Sequence, residues 1–177
     1  MKKLSPTLIA LAFLAVLAPS AVLAAGAGAG FPTWDKQFTK GRFTVLVQFG
    51  GTAVFDKETG LVWERSPDTG TDLDWLEAQD LCNMLSKGGR MGWRLPTLQE
   101  WTSLLEQTQP SPALPAGHPF SLSPAQEDGL YWSATASAGS NGQAWLVNLN
   151  NGNVSRHDKN DSGSAWCVRG GQGVDAQ

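Results

Sequence analysis

Two cysteines, Cys82 and Cys167, lie 85 positions apart, and the start of the chain decides what they become. Lys2 and Lys3 precede an apolar stretch over 8–23, and Val22-Leu23-Ala24 supplies the small residues that a signal peptidase reads. The stretch is shorter than the roughly 20 residues of a membrane-spanning helix and no second apolar run follows, so export with cleavage after Ala24 is expected. Thiols oxidise outside the cytoplasm, and two cysteines allow one pairing. A bridge closing so long a loop constrains the unfolded chain by about 4 kcal/mol, comparable to the whole stability of a small domain. The alternatives are a pair of buried free thiols or a catalytic cysteine, but no histidine lies near Cys82 or Cys167 in sequence.

Cleavage leaves 153 residues, the size of one domain with a real core. The expected division is a signal peptide over 1–24, a flexible Ala/Gly-bearing leader over 25–38, one domain over 39–172 and a short tail over 173–177. Loss of Lys2 and Lys3 leaves 11 basic residues against 16 acidic ones, a net charge of about −5 that disfavours nucleic acid and anionic surfaces as partners. Eight tryptophans against a single tyrosine, Tyr131, are spread along the chain, and in a small domain most of them must fill the core.

The periodicities predict an α+β fold. A β-branched and aromatic run over 42–49 reads as a strand, and 53–55 and 61–64 read as a hairpin around the polar turn ending at Gly60. Asp74 and Glu77 form a capping box, and Trp75, Ala78, Cys82 and Leu85 follow at helical spacing until Gly88-Gly89. Thr97 and Glu100 form a second box, with Leu98, Trp101, Leu104 and Leu105 as the apolar face of a helix limited by Pro110. Gly92-Trp93-Arg94-Leu95-Pro96 between them reads as a tight connector, too short and polar for strand or helix. The Pro-rich stretch 110–124 reads as an irregular loop. Short strands are expected over 131–135, through Trp145, Val147 and Leu149, over 154–156 after the Asn151-Gly152 turn, and over 165–169. The bridge would then tie the first helix to the last strand.

Several segments in this order resemble the Lcl C-terminal domain family: Thr59-Gly60-Leu61-Val62-Trp63; Trp75 with Ala78 and Cys82; Gly92-Trp93-Arg94-Leu95-Pro96-Thr97 with Glu100. Gly117-His118-Pro119-Phe120, Tyr131-Trp132-Ser133-Ala134-Thr135, Ala144-Trp145-Leu146-Val147-Asn148 and Trp166-Cys167-Val168-Arg169-Gly170 continue it. The resemblance spans about 40–172. It implies a C-type lectin-like fold, also similar to sulfatase-modifying enzymes: two helices packed on a small, twisted, mostly antiparallel sheet with one disulfide. In that fold a long-range disulfide also joins the first helix to the last strand. Trp63, Trp75, Trp93, Arg94, Pro96, Glu100, Trp166 and Arg169 are then structural motif residues. The family includes the end domain of a collagen-like bacterial adhesin that binds sulfated glycans; this chain has no collagen-like repeat and is acidic.

The candidate ligand contacts gather around Gly152: Asn148, Asn150, Asn151 and Asn153, with Arg156, Asp158 and Asn160 beyond and Trp132 or Trp145 as an aromatic platform. Amides and charged tips beside an apolar face suit sugar hydroxyls and rings. The competing reading is that the asparagines form turns and both rings are core. Arg94 and Arg169 are either ligand contacts or, the favoured reading, internal salt bridges, for Arg94 with Glu100. Asp158, Asn160 and Asp161 are oxygen ligands at short spacing, but the lectin tripeptides Glu-Pro-Asn and Gln-Pro-Asp are absent, as is a helix-loop-helix calcium spacing. His118 and His157 lie far apart, and no phosphate cradle or nucleophile elbow occurs. The expectation is therefore no catalytic residue, metal or cofactor: a secreted or periplasmic binding module for a glycan or protein at the cell envelope, adhesin-like. The alternatives are a structural accessory protein of the envelope, or an enzyme of the formylglycine-generating type, which would require two reactive thiols.

Overall fold

In the computed structural model the described residues are 41–67, 72–109, 111–127 and 129–170. The expected signal peptide, leader and tail lie outside them. Among the described residues no helix is long and apolar enough to cross a membrane. Strands β1 (Phe43–Val45), β2 (Ala53–Asp56) and β3 (Leu61–Glu64) form an antiparallel meander. Helix α1 (Trp75–Met84), strand β4 (Trp93–Arg94), helix α2 (Leu98–Leu104) and a single turn α3 (Pro124–Glu127) follow. Strands β5 (Leu130–Ala136), β6 (Gln143–Asn148), β7 (Val154–Asp158) and β8 (Val168–Gly170) complete the order.

The α+β class with two principal helices, antiparallel pairing and one disulfide is present, but the strands make two sheets where one was expected. One runs β1-β2-β3-β8-β4, the other β5-β6-β7. The last strand inserts beside β3, far from it in sequence, and carries β4 on its other edge. Trp93 and Arg94, expected in a strandless connector, thus pair with Arg169 and Val168. Tertiary pairing supplies the partner strand that the local sequence does not announce. The expected strand over 42–49 stops at Val45. Gly50 and Gly51 take φ of 63° and 74°, which favour glycine, and turn Val47–Phe49 into a 3-10 segment. Ladder pairing of the final strand likewise begins only at Val168, while Ala165, Trp166 and Cys167 remain buried before it. The described residues of the Pro-rich stretch form no strand or helix until its last residue, Pro124, which opens the short α3.

Both predicted capping boxes close. Asp74 accepts from the Glu77 amide at 2.8 Å while the Glu77 side chain accepts from the Asp74 amide at 2.9 Å. Thr97 and Glu100 repeat the exchange at 3.2 and 2.8 Å. Two helices of ten and seven residues are too short to persist alone, so caps and burial must hold them.

Two hydrophobic clusters form the interior, and β5 and β6, with Leu149 directly after β6, divide their side chains between them. Tyr131, Val147 and Leu149 join Trp63, Trp101, Leu104 and Trp166; Trp132, Ala144 and Leu146 join Ala78, Cys82, Trp93 and Cys167. A strand buried on both faces reads as a continuous apolar run, which Ala144-Trp145-Leu146-Val147 is. Trp101 centres the first cluster, its ring 5.4 Å from Trp63, 5.6 Å from Trp166 and 5.7 Å from Tyr131. The Trp101–Trp166 pair is edge-to-face and the other two are tilted, arrangements that add to burial. Cys82 and Cys167 are bonded in the second cluster with their Cα atoms 5.5 Å apart, joining α1 to the approach of β8.

Candidate functional site

Five of the seven described tryptophans, at 63, 93, 101, 132 and 166, are buried. Trp132 is therefore not a platform: it is 0% exposed, and its indole N–H donates to the Leu73 carbonyl at 2.9 Å. Trp75 and Trp145 remain half-buried. Each carries a cation over its ring, Lys159 Nζ at 4.1 Å from the Trp75 centroid and the Arg156 guanidinium at 6.0 Å from that of Trp145.

The predicted residues do not converge on one place. Asn148, Asn150, Asn151 and Asn153 sit at the closed end of the β6–β7 hairpin, while Asp158 and Asn160 sit at its open end, roughly 15–20 Å away at strand rise. The asparagines make turns, as the competing reading held: Asn148 Oδ1 accepts from the Asn150 amide and Asn151 Oδ1 from the Asn153 amide, both at 2.9 Å. Gly152 at φ 72° closes the turn against Gln107, whose Nε2 donates to the Gly152 carbonyl. Asp158 Oδ1 likewise accepts from the Asn160 amide and side chain, and Asp161 Oδ2 from the Asp158 amide. Oxygens used this way shape the loop. Among the described residues no group of three or more His, Cys, Asp or Glu converges as a metal set would.

Arg94 forms the salt bridge with Glu100, donating from both terminal nitrogens to the two carboxylate oxygens at 2.7 and 2.8 Å. Burial alone would raise the Glu100 pKa; the Arg94 fork and the Thr97 amide outweigh it and hold the carboxyl below its ordinary range. Arg169 instead donates to the Met91 carbonyl at 2.7 Å.

What the fold does assemble is a cleft of about 270 Å³ where the open end of the hairpin meets the start of α1. Asp74, Trp75, Leu76, Gly142, Lys159 and Asn160 line it. Backbone bonds fix the parts: the Trp75 amide donates to the Lys159 carbonyl at 2.9 Å, and the Lys159 amide to that of Gly142 at 2.8 Å. The Trp75 indole N–H donates to the Ser133 carbonyl at 2.8 Å, setting the ring's tilt. The outcome is an indole face beside an ammonium and an exposed amide. Of the predicted contacts only Asn160 belongs to it. Trp75 reads from sequence as helix core, and Lys159 as one more charge in a polar run. The overlooked signal is that Trp75 follows the N-cap directly, at the helix rim, where a ring is covered on one side only.

Beside the cleft, α1 turns a second surface outward. Leu73, Glu77, Asp80, Leu81, Met84, Leu85 and Ser86 line a groove of about 540 Å³. Leu76 and Met84 on the same helix are 63% and 74% exposed.

Architecture and site together define a small disulfide-stapled α+β domain bearing a polar-aromatic cleft at a helix start. Residues 52–169, about two thirds of the chain, match the Lcl C-terminal domain, and the chain belongs to that family. No curated protein sequence matches it.

Proposed function

We propose that this is an exported, non-catalytic binding domain of C-type lectin-like architecture that holds a glycan in the Trp75–Lys159 cleft. The observation that carries the reading is the Trp75 ring, half-buried under a displaceable ammonium, with the Asn160 amide at its edge. Sugar rings stack on such faces while their hydroxyls take the amide and ammonium. An exposed cation–π contact is worth about 0.5–1 kcal/mol, so a ligand displaces Lys159 from the ring at small cost and gains it as a donor. The lectin-like architecture is supported by the bridge from α1 to the approach of β8, and export by the apolar start of the chain together with a disulfide, which persists in oxidising compartments. A non-catalytic role fits a cysteine pair consumed in a buried bond; titration of two reactive thiols in the native protein would restore the formylglycine-type alternative.

Titration of the protein with neutral and acidic oligosaccharides, followed by the indole N–H resonances, is expected to shift the Trp75 signal. Trp75→Ala is expected to weaken that binding about tenfold or more, the equivalent of roughly 1.4 kcal/mol of stacking. Lys159→Ala, which leaves the ring in place, is expected to weaken binding less. If no saccharide moves Trp75, the glycan reading fails.

A protein ligand is the second reading, favoured by the exposed Leu76 and Met84 along α1. Glu77 and Asp80 on the groove's rim select a segment with apolar anchors flanked by lysine or arginine. A synthetic amphipathic Leu/Lys peptide is expected to bind the wild type and to lose most affinity for Met84→Glu; equal affinity would remove this reading.

A further inference from the structure

We propose that Asn141 is a site of spontaneous deamidation selected by the fold, and that its conversion places a carboxylate at the edge of the Trp75–Lys159 cleft. The chain holds two Asn-Gly pairs, 141–142 and 151–152, with equal intrinsic chemistry. Asparagine is a thermolabile residue, and the absence of a side chain on the following glycine leaves its amide nitrogen open to attack the asparagine side chain. The structure treats the two pairs oppositely.

At the closed end of the hairpin the reaction is blocked at each participant. The Gly152 amide donates to the Asn148 carbonyl at 2.8 Å, and the Asn151 side chain accepts from the Asn153 amide at 2.9 Å. Gly152 is itself buried, and a Cβ there would lie 2.9 Å from Gln107 Cγ, so the turn is packed tightly against its neighbour and its backbone has little freedom to rearrange. At the other end Asn141 and Gly142 are both exposed, in the loop joining β5 to β6. Among the described residues the Gly142 amide has no acceptor and the Asn141 side chain no hydrogen-bond partner. Nothing lies within 4 Å of where a Gly142 Cβ would be.

The chemistry needs only water. The Gly142 amide nitrogen loses its proton to solvent and attacks Asn141 Cγ. A nitrogen–carbon bond forms, the bond from Cγ to Nδ2 breaks, and ammonia leaves a five-membered imide. Water then opens the imide at either carbonyl, giving aspartate or isoaspartate at 141. The neutral amide becomes an anion one residue from Gly142, whose carbonyl holds the Lys159 amide and which lines the cleft. Among the described residues Lys159 has no carboxylate partner, so the new charge draws its ammonium off the Trp75 ring. That consequence bears on ligand binding only through the reading of the cleft given above; the modification itself does not.

The full chain is incubated at mildly alkaline pH and body temperature, and peptide mapping by mass spectrometry scores both pairs in one sample. Expected is conversion at Asn141, with isoaspartate among the products, while Asn151 stays intact. In urea both pairs are expected to convert, showing that the protection of Asn151 is structural. Gly142→Ala, which meets open space, is expected to abolish most of the conversion at 141. Comparable rates at both sites in the native protein, or conversion at Asn151 first, overturns the selection. For the second half, Asn141→Asp is expected to shift the Trp75 indole N–H resonance without ligand; an unmoved signal overturns the coupling to the cleft whether or not any saccharide binds.

Discussion

Replacing Cys82 and Cys167 together by alanine is expected to lower the unfolding free energy by about 4 kcal/mol, the chain-entropy value for a loop of this length. The two sulfurs are 0% exposed and sit between α1 and the approach of β8, packed among Ala78, Trp93 and Leu95. The bond spans 85 positions, and so encloses the end of α1, β4, α2 and the whole three-stranded sheet in one loop. Its neighbourhood is organised around it. The Cys167 amide donates to Glu64 Oε2 at 2.8 Å, and Glu64 Oε1 meets Lys87 Nζ at 2.5 Å. Lys87 in turn donates to the Ser66 carbonyl, so the loop after α1 is pinned to the end of β3. Urea titration of the double variant measures the loss directly, and a fall in Tm of more than about 10 °C is expected for a domain of this size. Reductant should reach the bond of the wild type only as the domain opens, because neither sulfur touches water. A loss below about 1 kcal/mol would mean that the two aromatic clusters hold α1 against the sheet without the covalent tie.

Much of this frame is legible in the sequence because the devices that build it are local. Asp74 with Glu77 and Thr97 with Glu100 announce helix starts at a fixed spacing of three, and both boxes close. A pair of cysteines needs no geometry to be matched. The Arg94–Glu100 bridge is similarly near in sequence. What was not legible depends on distant pairing. β8 inserts beside β3 and then accepts Trp93–Arg94, and nothing in five residues around Arg94 reports that neighbour. The split into two sheets follows from the same insertion. The dispersal of the candidate contacts has a related reason. Asparagines at a turn and asparagines at a ligand look alike in sequence; only the hydrogen bonds to the amides of residues 150 and 153 show that those side chains are occupied. Trp132 and Trp145 are likewise equivalent in type, yet one lies in the interior and the other at its margin.

Arg42→Met is expected to cost about 3–5 kcal/mol, because it leaves a buried carboxylate without its counter-charge. From the sequence Arg42 reads only as the start of a strand, yet its side chain is 3% exposed and that of Asp56 0%. Its Nε and one terminal nitrogen donate to the two Asp56 oxygens at 2.9 and 2.6 Å, and the same terminal nitrogen reaches the Ser103 carbonyl at 2.9 Å. The pair thereby fastens β1 to β2 and both to the end of α2. Asp56 also accepts from the Glu58 amide and the Thr59 hydroxyl. Burial by itself would raise the Asp56 pKa; the Arg42 bonds and charge, with those two donors, overcome it and hold the carboxyl below its ordinary 3.8. The folded state therefore binds this proton less readily than the unfolded chain does. Its stabilisation is complete above the ordinary value and is lost as pH falls below it toward the folded one. Glu100, held below 4.5, follows the same sign and begins its loss slightly higher. His118 loses stability on acidification from near 6.5, since burial lowers its pKa and outweighs the opposing pull of Glu127. Urea midpoints measured across acid pH separate the three: Asp56→Asn should flatten only the part of the curve below about pH 4. The double variant Arg42→Met, Asp56→Leu is expected to recover most of the stability lost in Arg42→Met, since it removes the stranded charge and not only its partner. An Arg42→Met protein as stable as wild type at neutral pH, with an unaltered acid limb, would show that Glu58, Thr59 and solvent suffice for Asp56 and that the pair is not what joins β1 to α2.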